Sequence, residues 1–177
     1  MSFDAFLYFP SQSLVVGETQ DKAMAKNKAF ELLSFEFGAE NNINIGSISS
    51  GGGAGKASFK EFTVTKKTDT GSCGLFHTLC TGNHFKESIV ELRRSGGSAD
   101  ASGATFLKFS FKLVMVQDIS WSGSDGDDVC EETVIFQYGA MKIEYFEQGS
   151  DGKMKKASGG QGEAKWSRVL NSAVYDV

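Results

Sequence analysis

The chain has 177 residues, 40% apolar, 12% aromatic and 23% charged, enough for one sizeable core and too apolar for a disordered tail. Fifteen residues are Phe and 21 are Gly, but only one is Pro, where about nine would be usual at this length, so the composition favours strands joined by tight turns. A net charge of −4 argues against a protein held on nucleic acid by phosphate contacts.

Phe3, Ala5, Leu7 and Phe9 alternate with Asp4, Phe6 and Tyr8 and predict a first strand, closed by Pro10, with aromatic residues on both faces. Gly17 to Asn27 is polar and lacks a period, which reads as an exposed excursion. Leu33, Phe35 and Phe37 predict a second strand ending at Gly38. Asn41 to Gly55 reads as a weak strand followed by a long loop, and Phe59 to Thr65 as the next strand. Asp69 to Thr81 is the one segment with helical spacing, through Cys73, Leu75, Phe76, Leu79 and Cys80, with Asp69 or Ser72 as cap and Gly82-Asn83 as stop. Strand pattern resumes through Phe85, Ile89, Val90 and Leu92, closing at Arg93 to Gly97. Leu107, Phe109, Phe111, Leu113 and Met115 then share one face of a strand whose other face carries Lys108, Ser110 and Lys112 and is wet. Beyond the turn-rich Trp121 to Asp128, strands are predicted around Val134 to Tyr138, Met141 to Tyr145 and Trp166 to Tyr175, with a Gly- and Lys-rich stretch from Gly149 to Gly162. The fold class is therefore mainly β: packed antiparallel sheets with one short flanking helix at about 69–81, in a single domain over 1–177.

The N-terminus carries an acid where a secretory signal would be basic, and the longest apolar run, around Leu113 to Val116, is far too short for a membrane span. The reading is of a protein made in the cytoplasm, with no membrane insertion and no nucleic-acid partner. Three cysteines are an odd set for a disulfide framework. Cys73 and Cys80 on one helix would stand about 10 Å apart, too far to bridge.

No coherent catalytic or cofactor set emerges, and no cofactor is expected. Gly51, Gly52, Gly53, Gly55 and Lys56 invite a phosphate-loop reading, but Ser50 and Ala57 occupy the positions that need Gly and Ser or Thr, and a strand follows instead of a helix. Cys73, His77, Cys80 and His84 offer metal-ligand chemistry, yet their spacing strings them along about 16 Å of helix, and tetrahedral ligands must converge. The favoured reading packs the cysteines against the sheet. Cys73 or Cys80 with His77 as a nucleophile and base lacks a third orienting residue. Asp125, Asp127, Asp128, Glu131 and Glu132 crowd five acids into eight residues and fail the calcium-loop template at Val129 and Cys130, which leaves a solvated acidic turn. Lys153, Lys155 and Lys156 form a cluster of opposite sign in another loop. A Cys/His-dependent metal or thiol hydrolase and a stand-alone β-barrel ligand binder are the alternatives from other classes.

Taken in order, Gly53-Ala54-Gly55-Lys56, Phe59, Phe62, Thr65-Lys66, Asp69, Ser72, Leu75-Phe76, Thr81-Gly82, His84-Phe85, Arg93, Gly96-Gly97, Ser122-Gly123-Ser124 and Gly126-Asp127-Asp128 form a series. In order and spacing it resembles the haemolysin-coregulated protein family, Hcp, the tube subunits of type VI secretion systems. The resemblance extends from Phe3 to Trp166 and Asn171, and implies a β-barrel-like protomer, a homohexameric ring and stacked rings, with no catalytic role. It also implies a VgrG-type spike, a contractile sheath and small effector proteins in the lumen as partners, and export through the secretion system without a signal peptide. The loops around Glu18, Asp21 and Lys22 and around Gly51 to Lys56 are then candidate subunit contacts, as are the acidic cluster at Asp125, Asp127 and Asp128 and the lysines at 153, 155 and 156. On this reading some of the many Phe side chains should be buried between neighbours, and the scarcity of Pro keeps strand edges free to pair across the ring.

Overall fold

The computed structural model describes residues 3–46, 53–94 and 103–177. The protein is mainly β, and the described residues form twelve strands in two antiparallel sheets and one α-helix. In chain order the strands are β1 (Phe3–Tyr8), β2 (Phe30–Leu32), β3 (Ser34–Glu36), β4 (Ala39–Asn44), β5 (Gly53–Phe59) and β6 (Phe62–Lys67). After helix α1 (Ser72–Thr81) come β7 (His84–Arg94), β8 (Ala104–Ser122), β9 (Glu131–Gln137), β10 (Ala140–Gln148), β11 (Met154–Lys156) and β12 (Glu163–Ser167).

The ten-stranded sheet follows the path β2-β1-β7-β8-β9-β6-β3, with β10 branching from β8 and carrying β11 and β12. The two ends of that path are consecutive in sequence: Leu33 alone separates β2, paired to β1, from β3, paired to β6. The body is therefore barrel-like. Its interior is a column of aromatic rings, with Phe62 stacked on Phe111 at 4.1 Å and on Phe136 at 4.6 Å, and Phe9 stacked on Phe85 at 4.1 Å. Each ring buried there contributes about 1.5–3 kcal/mol.

β8 organises the body. One edge pairs with β7, and the other pairs first with β10 and then with β9, so β9 and β10 lie end to end along it. The joint is at Leu113, which has φ 53°, a left-handed conformation rare for a side chain of this kind. Opposite it the Gly139 N–H donates to the Lys112 carbonyl at 2.8 Å, and a Cβ on Gly139 would crowd the Val177 and Leu113 side chains. One residue spent in this turn reverses the alternation: Phe111 is buried before it, Val114 and Val116 after it. Leu113 and Met115 thus do not continue the face of Phe109 and Phe111 as the simple alternation predicts.

The expected exposed excursion from Gly17 to Asn27 is a cover. Its Met24, with Ala29, packs on Phe6, Tyr8 and Ile89, forming a second apolar cluster on the outer face of β1 and β7. Gly17 is required there because its N–H donates to Lys28 O at 2.8 Å and a Cβ would come within 2.1 Å of Ala29 O. This corrects the expectation for β1: the aromatic residues of its second face are buried inside the protomer by its own chain. The outer face of β7, β8 and β10 is covered likewise. Ser110 is buried, and the Tyr175 ring lies 4.7 Å from Lys112 Nζ and 4.8 Å from Lys142 Nζ.

α1 begins at Ser72, not Asp69. Gly71 is the N-cap residue, while Asp69 turns back to accept the Gly71 N–H at 3.0 Å. Gly82 ends the helix in the left-handed conformation, φ 69°, as expected. Its buried face is Ser72, Leu75 and Thr78, whereas Cys73 and Cys80 are exposed free thiols, so the expected cysteine-lined packing face is overturned. Past β12 the chain continues as turns, not as the strand expected up to Tyr175. Asn41 to Gly55, expected as strand then loop, contributes most of β4 and the start of β5, and its residues 47–52 lie outside the described residues.

Candidate assembly surfaces

Among the described residues β4 and β5 pair only with each other and stand apart from the ten-stranded sheet. Asn and Gly residues keep this hairpin polar, yet Ile43 is exposed and Ile45 is 86% exposed. A β-irregularity falls between Asn41 and Ile43, where Gly55 approaches the Asn42 carbonyl too closely to carry a side chain. Gly53, Gly55 and Lys56 lie on β5 and are exposed, while Gly51 and Gly52 fall outside the described residues. At the hairpin's root, Lys56, Phe59, Tyr138, Trp166 and Arg168 line a cleft of about 530 Å³. There Arg168 donates to the Tyr138 carbonyl at 3.0 Å, and the Tyr138 hydroxyl, pushed up to about 12 chiefly by burial, donates to Lys60 O at 2.7 Å.

The structure separates the residues of the 17–29 cover. Glu18 is exposed and accepts the Thr70 N–H at 3.1 Å, and Lys22 is exposed. Asp21 points inward, 2.9 Å from Arg93, and accepts the N–H groups of Ala23 and Met24. Arg93 also donates to Gly103 O at 2.6 Å, so this pair ties the cover to β7 and β8.

The acidic cluster divides too. Asp125, Asp127, Asp128 and Glu131 are exposed, but Glu132 is wholly buried, which corrects its reading as part of a solvated turn. In the β6–β9 register Glu132 faces Lys66, itself 1% exposed, and the two form an ion pair at 2.8 Å. Lys66 Nζ also meets Asp69 at 3.0 Å and Ser72 Oγ at 3.3 Å, and the Trp121 indole N–H donates to Glu132 at 2.8 Å. Burial raises the Asp69 carboxyl above its ordinary value, with Lys66 opposing and Glu132 adding to the rise. The sequence signals neither Lys66 nor Glu132 as a pair, because their partnership exists only in the strand register.

Lys153 is exposed on the β10–β11 turn and Lys155 is exposed on β11, opposite Glu147. Lys156 is held within its own protomer, 2.7 Å from both Glu144 and Glu163. The acidic turn leaves β8 at Ser122, whereas β10 passes Leu107 on its way to the lysine turn. The two clusters therefore lie toward opposite ends of the 19-residue β8. Among the described residues no group of three or more His, Cys, Asp or Glu could hold a metal ion, and no helix is long and apolar enough to cross a membrane.

The family model described as type VI secretion system effector, Hcp, matches residues 6–145. The chain belongs to the Hcp family. This Hcp is similar to Protein hcp1 of Pseudomonas aeruginosa, 27% identical over 97 residues, which are 55% of this chain and 58% of that protein. The match thus spans less than two thirds of the curated relative's length. A solved structure of a type six secretion system protein is 29% identical, covers 97% of this chain and 99% of its own, and superposes with TM-score 0.80. Hcp1 from Salmonella typhimurium, 23% identical, covers 98% and 100% with TM-score 0.69, a likeness of fold.

Proposed function

We propose that this Hcp is a structural subunit of a type VI secretion tube, in which copies close into a hexameric ring and rings stack. One observation carries the reading: the likeness to a type six secretion system protein that runs through 97% of this chain and 99% of the other. The surfaces described above support it. A hairpin that leaves its own sheet needs another surface to bury Ile43 and Ile45, and a repeated heterologous contact closes a ring when its rotation permits. Turns of opposite charge at opposite ends of β8 suit head-to-tail stacking.

In this role the chain acts by geometry and not by catalysis. Its partners are other copies of itself, a VgrG-type spike, a contractile sheath and small effectors held in the lumen, and it leaves the bacterial cytoplasm when the system fires. The contact surfaces are the hairpin with Gly53, Gly55 and Lys56, the cover with Glu18 and Lys22, the acidic turn, and Lys153 with Lys155.

Native mass spectrometry and negative-stain microscopy of the purified chain test this. Rings at high micromolar concentration are expected. A strict monomer with no ring in any field would overturn the proposal.

A further inference from the structure

One face of the protomer lies outside the cover and the hairpin. Between α1 and the end of β8 lies a groove of about 380 Å³ lined by Thr68, Ser72, Cys73, Phe76 and Trp121. Its walls are apolar for a definite reason. Ser72 Oγ is turned inward, accepting the Asp69 N–H at 3.0 Å and meeting Lys66 Nζ, while Cys73 presents an uncharged thiol. Phe76 is 48% exposed and Trp121 44% exposed, with ring centroids 5.8 Å apart. Adjacent exposed aromatic residues of this size mark a contact surface more often than a solvated one.

Trp121 is also fixed in place. Its indole N–H is held at 2.8 Å by buried Glu132, which is anchored in turn by Lys66. A large aromatic side chain already ordered loses little rotamer freedom when something docks on it.

The rim supplies the charge of the occupant. The acidic turn departs one residue past Trp121, and at its far end the Cys130 carbonyl accepts the Thr68 N–H at 3.0 Å, so both ends of the turn meet the groove. Asp125, Asp127, Asp128 and Glu131 are exposed along it, and Lys67, opposite Glu131 in the β6–β9 register, offsets one of them. An apolar slot bordered by surplus negative charge matches an amphipathic segment with an apolar stripe and flanking Lys or Arg.

We propose that this groove is a docking surface for a cationic amphipathic segment of another protein, with Phe76 and Trp121 as its anchors. The contact requires only this face of one protomer. A chain that failed to form rings would still show it, so its failure and that of the tube reading are distinguishable.

The test uses the full chain carrying Trp166→Phe, so that emission reports Trp121 alone. The probes are a synthetic leucine–lysine amphipathic helix and a leucine–glutamate helix of the same length. The lysine peptide is expected to shift Trp121 emission saturably, and the glutamate peptide to leave it unchanged. Phe76→Ser, with every acid intact and an unchanged melting temperature, should weaken binding at least about tenfold. The triple change Asp125→Asn, Asp127→Asn, Asp128→Asn should weaken it and flatten its salt dependence. Equal response to both peptides, no response, or undiminished binding by Phe76→Ser would overturn the proposal. So would a response confined to dissociated protomers, which would assign the groove to a second copy of this chain.

Discussion

Lys66 is surrounded by groups that its strand neighbours do not share. Removing its charge leaves Glu132 and Asp69 facing each other in a buried site, whereas removing Glu132 leaves Lys66 still beside Asp69 at 3.0 Å. Breaking a buried pair from one side costs about 3–5 kcal/mol. Lys66→Met should therefore fall at the upper end of that range and Glu132→Gln at the lower, while the double change to Met and Leu should be milder than either. Urea midpoints of the three variants check this order. Nothing in Thr65-Lys66-Lys67 announces which lysine turns inward, since both fit a half-wet strand by composition. Glu132 is hidden in the same way by the acids that precede it. The residues legible from sequence were those whose chemistry acts locally, such as Gly82 at the helix end. Lys66 and Glu132 are 66 positions apart in the chain and meet only through pairing.

Among the elements, the segment over β1 and β7 depends on one close approach. Gly17→Ala would drive a Cβ into the Ala29 backbone, whereas among the described residues nothing lies within 4 Å of a Cβ on Gly53. Gly17→Ala is expected to destabilise by about 2 kcal/mol or more and to speed amide exchange across residues 19–29, with Gly53→Ala within about 0.5 kcal/mol of the parent. Thermal melts and hydrogen exchange measure both. The β10–β11–β12 clasp should respond to acid. Burial raises the Glu144 carboxyl, but hydrogen bonding to Lys156 and the charge of Lys142 outweigh it, and Glu163 is lowered by its bond to Lys156. Folded values below the unfolded one mean that the clasp is fully formed above the ordinary carboxylate range, about pH 4–5. Its contribution is lost as pH falls through the lowered folded values. Amide exchange at Met154 to Lys156 should therefore rise on acidification, and Lys156→Ala should remove most of that dependence. The strands themselves were largely legible from alternation. The kink at Leu113 was not, because a left-handed leucine leaves no mark in composition and only the reversal from Phe111 to Val114 betrays it.

On the scale of the whole molecule, the mainly β fold followed from alternation and from the lack of Pro, and helix α1 from the spacing of Leu75, Phe76 and Leu79 before Gly82. The family followed from the order of motifs that are individually weak. What sequence could not supply was the placement of the charged turns, which depends on β8 running between them. If stacking joins Asp125, Asp127 and Asp128 of one ring to Lys153 and Lys155 of the next, rising salt should shorten tubes before it dissolves rings. Lys153→Glu with Lys155→Glu should then leave rings and abolish tubes. Unchanged tube lengths across a salt series, measured by electron microscopy, would remove the idea. The one-residue joint at Leu33 has a mechanical meaning as well. A sheet with two free ends can be peeled open one hydrogen bond at a time from either end. Here the end strands β2 and β3 are continuous through Leu33, and β7 and the β9–β10 pair grip both edges of β8. A pull along β8 therefore loads its rungs together, in shear, because antiparallel hydrogen bonds lie across the strand direction. Such a wall resists being drawn out lengthwise far better than being pried apart sideways.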